Sequence, residues 1–431
     1  MNGARRVVVT GMEAICAAGV GWRALWEAAR AGRAFGARMT RFDVSRNRSQ
    51  IGAEIHGFDP VRSGLPQSRA ARMDRVAQLC VCAARTAVAE AGIEWDRLDP
   101  GRAGVCIGTA IGGVGFMEQS FLRVCRRNGA GKPARVEVAP EEAGPHLYPG
   151  FLAHSVSNEV ALDLGFTGVC TTMATGCTAG LDAVGMSADL IAAGLADVVV
   201  TGGADAPLTP IVFTAFDNIG CLTSRNADPS RASRPFDRER DGFLLAEGCG
   251  ILVLEAEEHA RRRGAEILGV VAGFASLSNA YHMTGLPADG AALAATLRCA
   301  LAKSRIPASD VDYINAHGSS TQQNDRNETA AFKTVFGERS YRIPISSTKS
   351  MIGHTLGAAS ALESIICVLA LRDGVVPPTV NYETPCPDCD LDYVPNVARE
   401  ARLRVVECNA SGFSGIHTAM LFAHPCYAEA S

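Results

Sequence analysis

Short apolar runs alternate with longer amphipathic or small-residue stretches along most of the chain. Arg6 to Thr10, Gly104 to Gly108, Ala196 to Gly202 and Gly250 to Glu255 are nearly continuous in apolar residues, the pattern of strands covered on both faces. After the charged run Glu257 to Arg263 the alternation restarts, with a strand near Ile267 to Phe274, a helix over Gly290 to Ser304, a strand over Val311 to Ala316 and a further helix. The pattern predicts an α/β protein with covered sheets. Its recurrence predicts a duplicated architecture, with halves at 1–262 and 263–431 packed as one unit because no flexible linker divides them. The segment Arg123 to Gly150, rich in Arg, Gly, Glu and Pro, breaks the rhythm and reads as a surface insertion.

Composition narrows the function without naming it. A chain of 431 residues that is 47% hydrophobic and 20% charged can bury a sizeable core. A formal net charge of -4 gives no global reason to expect a nucleic-acid or membrane-surface partner. The run Val7, Val8, Val9 is too short for a signal sequence or a membrane span, which makes a cytoplasmic location the expectation. The fifteen cysteines are scattered through apolar segments and read mostly as reduced, buried small hydrophobes. Cys386-Pro387-Asp388-Cys389 has a metal-type spacing, but no second pair completes four ligands, so no metal is expected. No phosphate-loop or dinucleotide signature is present either.

One cysteine stands apart. Met173-Ala174-Thr175-Gly176-Cys177-Thr178-Ala179-Gly180 runs directly into the proline-free helical stretch Leu181 to Ala193. Cys177 is thereby expected at a helix N-terminus, where small neighbours allow a sharp turn and the free N–H groups favour a thiolate. Two of the nine histidines sit at comparable junctions: His317 at the end of a strand in Asn315-Ala316-His317-Gly318-Ser319, and His354 before a small-residue helix in Lys349-Ser350-Met351-Ile352-Gly353-His354. Any one of these residues has a bland alternative as a buried thiol or a hydrogen-bonded structural histidine. Together they point to a catalytic role.

These three segments resemble the Cys-His-His set of elongating beta-ketoacyl-acyl carrier protein synthases. The likeness covers nearly the whole chain and includes Arg72-Met73-Asp74-Arg75, Ser233-Arg234-Pro235-Phe236-Asp237, Arg240-Asp241-Gly242-Phe243 and Val376-Pro377-Pro378-Thr379. Asp205 to Ile211, Gln323 to Lys333 and Cys389 to Pro395 are most similar to the alpha ketosynthase subunit of bacterial type II polyketide synthases. The resemblance implies a thiolase fold, five-layered α-β-α-β-α with two pseudo-duplicated halves. It implies a decarboxylative condensation in which an acyl group held on Cys177 is extended with malonyl-acyl carrier protein.

Residue by residue, the resemblance implies that His317 and His354 stabilise the enolate and that the N–H groups of Cys177 and Phe413 form an oxyanion hole. Lys349 is expected to pair with Glu328. Ser319 and Thr321 are expected to bind the carrier's phosphopantetheine arm, the chain holding no cofactor of its own, and Ile111 and Phe216 to line the acyl pocket. Arg62, Arg69, Arg72 and Arg75 are candidates for docking an acidic acyl carrier protein. The presence of Cys177 points to the catalytic partner of a heterodimer with a chain length factor. A homodimeric fatty-acid-type 3-oxoacyl synthase II is the alternative; a silent scaffold or chain-length subunit, or a degradative thiolase, ranks below both. The run Ser411 to His417 departs from the family pattern at Ser414, Ile416 and His417.

Overall fold

In a computed structural model, which describes residues 5–94, 97–127, 136–142 and 144–427, the apolar runs become strands of one large sheet. In chain order they are β1 (Val7–Cys16), β2 (Ala103–Gly108), β3 (Cys170–Met173), β4 (Val198–Asp205), β5 (Gly248–Ala256), β6 (Gly269–Ser278), β7 (Tyr313–Asn315), β8 (Ile345–Ser346), β9 (Val405–Ser411) and β10 (Ile416–Ala423). Across the sheet the order is β8-β7-β9-β10-β6-β1-β5-β4-β2-β3. Divided between β6 and β1, each set of strands repeats the sequence first, fifth, fourth, second, third. In each set the first-fifth and fifth-fourth pairs are antiparallel, and the fourth-second and second-third pairs are parallel. The sets join where Val7 to Val9 pair with Gly269 to Val271.

Five helices place the layers: α1 (Arg75–Glu90), α2 (Ala179–Ala192), α3 (Ala291–Ser304), α4 (Gln322–Phe336) and α5 (Ala359–Asp373). Helix α1 and the helix Ser155–Leu164 cover the outer face of the first set of strands, and α3 and α4 cover that of the second. Helices α2 and α5 lie between the two sets and touch strands of both. This is the five-layered thiolase fold. Burial explains each choice: α5 is buried on every face from Ala359 to Leu371, as a helix apolar all round must be. In α2, Gly180 admits the backbone of the neighbouring helix, since a Cβ there would meet the Gly357 carbonyl oxygen at 2.6 Å. Three apolar clusters follow the layers, one around α2 and α5 and one beneath each outer pair of helices.

Within the segment Arg123 to Gly150, residues 128–135 and 143 lie outside the described residues. The remainder includes a short antiparallel pair, Cys125–Arg127 with Val136–Val138. No helix among the described residues is long and apolar enough to cross a membrane.

Candidate active site

The two central helices begin alike. A 3-10 turn, Gly176–Thr178 or Leu356–Ala358, leads into α2 or α5. Both turns open on a left-handed residue, Gly176 at φ 69° and Leu356 at φ 50°. Glycine adopts this region freely, whereas Leu356 holds it at a cost of about 1–2 kcal/mol. The hydroxyls of Thr175, Thr178 and Thr418 all donate to the buried Asp182, which fixes the turn against α2 and β10. Cys177 stands in this turn and lines a cavity of about 290 Å³ shared with His317, His354, Ser319, Thr321, Phe216 and Phe413.

His317 follows β7 and takes its place through its main chain. Glu328 of α4 accepts the N–H groups of His317 and Gly318, each at 2.7 Å, and the side-chain amides of Asn324 and Asn409, also at 2.7 Å. His354 is held by backbone bonds to Leu244 and Ala246, at 2.7 and 3.0 Å, and its ring meets the edge of Phe243. The two imidazoles stand 5.2 Å apart at 83°, and the Nδ1 atom of each is buried without a protein partner. Burial, reinforced by the charge of Lys349, holds both histidines well below their ordinary pKa. They are therefore neutral near pH 7.

The thiolate expected at the helix start meets an opposing force. Burial pushes the Cys177 thiol up to about 11, against the charge of Lys349 and the amides of Phe413 and Cys177 itself, which point at the sulfur. The resting group is thus a thiol, beside two N–H groups poised for negative charge. Lys349 does not pair with Glu328. Its ammonium group donates to Glu363 of α5 and, at 2.7 Å, to the carbonyl oxygen of His317, because the turn at Lys349 faces the central helix rather than α4. With the amides of the histidine loop already filling Glu328, burial pushes that carboxyl up to about 7, and the negative charge of Asp325 adds to the effect. Glu363 is likewise raised to about 7 by burial, with Lys349 opposing.

The sequence reading missed Glu363, Asn324 and Asn409. Glu363 had a signal, being the only charged residue in the apolar stretch from Ala359 to Leu371. Asn324 and Asn409 had none; their role exists only because α4 and β9 converge on Glu328.

The remaining candidates divide. Ser319 and Thr321 line the cavity and bond to each other through their hydroxyls at 3.0 Å, and Thr321 also caps α4 by accepting the N–H of Asn324. Phe216 packs between Phe243 and Phe413, at centroid distances of 5.7 and 6.4 Å. Ile111 joins the same apolar cluster but stands outside the cavity wall, its N–H bonded to the buried Asp205. Phe413 sits in the turn between β9 and β10. There one departure from the family pattern, His417, bonds through Nδ1 to Ser411 Oγ at 2.9 Å, with burial holding it neutral at a pKa of about 4. His282 is not among the cavity's lining residues; its Nδ1 accepts from the amides of Thr284, which is, and Gly285.

Two of the four arginines proposed for carrier docking face inward. Arg69 bonds Glu159 and Asp163, and Arg75 bonds the fully buried Glu247, because both lie where α1 and its approach pack on the sheet layer. Arg62, with its side chain 89% exposed, and Arg72 remain open to solvent. Arg69→Ala is accordingly expected to lower unfolding stability by roughly 2 kcal/mol, the cost of removing charged hydrogen bonds. Arg72→Ala is expected to leave stability unchanged. Denaturant titration of the two variants separates these outcomes.

A partly buried thiol at a helix start, two neutral imidazoles and paired amides on one cavity define a thioester-condensing site on a thiolase fold. The N-terminal domain family of beta-ketoacyl synthases matches residues 4–260, the C-terminal domain family matches residues 268–383, and the chain belongs to this family. The tetracenomycin polyketide synthase ketoacyl synthase alpha subunit of Streptomyces glaucescens is 47% identical over 98% of this chain and 97% of its own length. A type II polyketide ketosynthase solved with its acyl-carrier protein and a bound hexaketide superposes with a TM-score of 0.89, at 39% identity over 97% of this chain and 99% of that one. The ishigamide ketosynthase/chain length factor gives a TM-score of 0.87, at 36% identity over 99% of this chain and 100% of its own.

Proposed function

We propose that the chain is the catalytic ketosynthase subunit of a type II polyketide synthase, extending an acyl chain held on Cys177. The observation that carries this reading is the shared cavity of Cys177, His317 and His354, with the amides of Cys177 and Phe413 directed at the sulfur. Cys177 attacks the carbonyl carbon of an acyl thioester, and the pantetheine thiol of the carrier departs. A covalent intermediate divides one difficult condensation into two steps. Malonyl carrier protein then enters past Ser319 and Thr321, and His317 and His354 donate N–H bonds to its thioester oxygen as carbon dioxide leaves. Neutral imidazoles stabilise the enolate without a proton acidic enough to quench it. The enolate carbon attacks the acyl carbonyl on Cys177, the two amides bind the developing oxyanion, and the Cys177 thiolate leaves.

A heterodimer with a chain length factor is the assembly this reading requires. In its support, β3 ends the sheet with one side unpaired, and Cys170, Val169 and Leu162 are exposed beside it. An open sheet edge with apolar neighbours is a template for pairing with another chain. The test is condensation by the chain alone and with a candidate beta subunit, followed by intact-protein mass spectrometry. Extended products on the carrier protein only with the subunit present are expected; full activity of the chain alone would replace this reading with a homodimeric fatty-acid-type synthase.

A further inference from the structure

Far along the chain from Cys177, two thiols share one surface turn, Cys386-Pro387-Asp388-Cys389. The amide of Cys389 donates to the carbonyl oxygen of Cys386 at 2.9 Å, closing the turn, and the pair forms a short antiparallel bridge. In such a turn the Cα atoms lie within about 7 Å, the range a disulfide spans. Pro385, Pro387, Asp388 and Asp390 are exposed while both sulfurs face inward, toward Arg240.

We propose that Cys386 and Cys389 form a dithiol-disulfide site, oxidised by a low-molecular-weight disulfide, whose closure changes the active-site wall at Thr321 through Arg240. The route is short. Arg240 is fully buried and donates to the carbonyl oxygens of Asp237, Thr321 and Gln322 at 2.8, 3.1 and 3.2 Å. It also lies 3.3 Å from Asp325, and Gln322 returns a bond to its carbonyl oxygen at 2.7 Å. Thr321 and Gln322 both line the catalytic cavity.

The two thiols are unlike each other. Burial raises Cys386, but hydrogen bonds from Arg240 and the Asp388 amide, together with the charge of Arg240, carry it below the ordinary thiol value. Burial and the nearby Asp325 push Cys389 up to about 12. A more acidic thiol beside a less acidic resolving thiol is the asymmetry that thiol-disulfide exchange uses. Cys367 and Cys408 also touch, but both are buried in the central core and Cys408 is pushed far up. In the exchange, Cys386 loses its proton, attacks one sulfur of the external disulfide and expels a thiolate. Cys389 then loses its proton and attacks the Cys386 sulfur, expelling the second. The pair gives up two electrons and two protons, and the external disulfide becomes two thiols. The Cys386 sulfur, now bonded to Cys389, then no longer meets Arg240 as a free thiol.

The test equilibrates the Cys177→Ala chain with glutathione disulfide and maps its peptides by mass spectrometry. The peptide carrying Cys386 and Cys389 is expected to become lighter by two hydrogens, and Cys386→Ser to lose that species; two thiols still open to alkylation would overturn the proposal. This arm is independent of the condensing activity. A second arm, which rests on the ketosynthase reading, compares condensation by the chain carrying Cys177 with and without Cys386→Ser under the same oxidation. A loss at least about fivefold greater in the chain that keeps Cys386, reversed by dithiothreitol, is expected. Equal losses would overturn the coupling to Thr321. Cys386→Ala replaces Cys386→Ser if the serine variant does not fold.

Discussion

Cys177→Ala is expected to reduce condensation by roughly 10⁴- to 10⁶-fold, the range seen when a covalent nucleophile is removed. The variant is also expected to retain no acyl group after exposure to acyl carrier protein, which intact-protein mass spectrometry reads directly. The fold should survive, because Cys177 stands in a cavity wall and its turn is held by Asp182 rather than by the thiol. The pH dependence tests the state of the sulfur. With the thiol raised to about 11 by burial, its thiolate fraction grows with pH through the whole neutral range. Alkylation of Cys177 by iodoacetamide should accelerate about tenfold per pH unit from pH 7 to 10. A plateau beginning near pH 7 would mean that the helix start and Lys349 outweigh burial.

His317→Ala and His354→Ala are each expected to leave acylation of Cys177 intact while lowering condensation by about 10²- to 10⁴-fold. The reason is the division of labour proposed above: the amides of Cys177 and Phe413 serve acyl transfer, and the imidazoles serve the enolate. Burial and Lys349 hold both histidines far below 6.5, so protonation would begin only well on the acid side of that value. Release of carbon dioxide from malonyl carrier protein should accordingly be flat between pH 6 and 8. A fall centred near 6.5 would contradict a neutral, buried pair. Loss of acylation in either variant would instead assign that histidine to activation of the thiol.

Six of the ten strands, all but β3, β8, β9 and β10, were legible because they lie between covered layers. A run such as Gly250 to Glu255 has no exposed face to interrupt it with polar residues, and β5 is buried along its whole length. The repeat of strand and helix was legible for the same reason, although the shared strand order of the two sets required the pairing itself. Cys177, His317 and His354 stood out through local composition: small residues mark a tight turn, and polar residues after an apolar strand mark a loop end.

Partnerships were another matter. The sequence placed Lys349 and Glu328 in neighbouring motifs, but the fold turns Lys349 toward Glu363 on the central helix and surrounds Glu328 with amides from α4, β9 and the His317 loop. Arg69 and Arg75 looked like surface cations, yet carboxylates on the Ser155–Leu164 helix and at Glu247, just ahead of β5, claim them. By itself, then, the sequence determined what is set by periodicity and near neighbours: the alternation of strands and helices, the turns, and the three residues that end up on the cavity. Tertiary structure alone decided which charges meet, because ion pairs and hydrogen bonds depend on distances of a few ångströms between segments far apart in the chain. It also decided the protonation of the site, since burial, which no local pattern measures, keeps the histidines neutral and the cysteine a thiol.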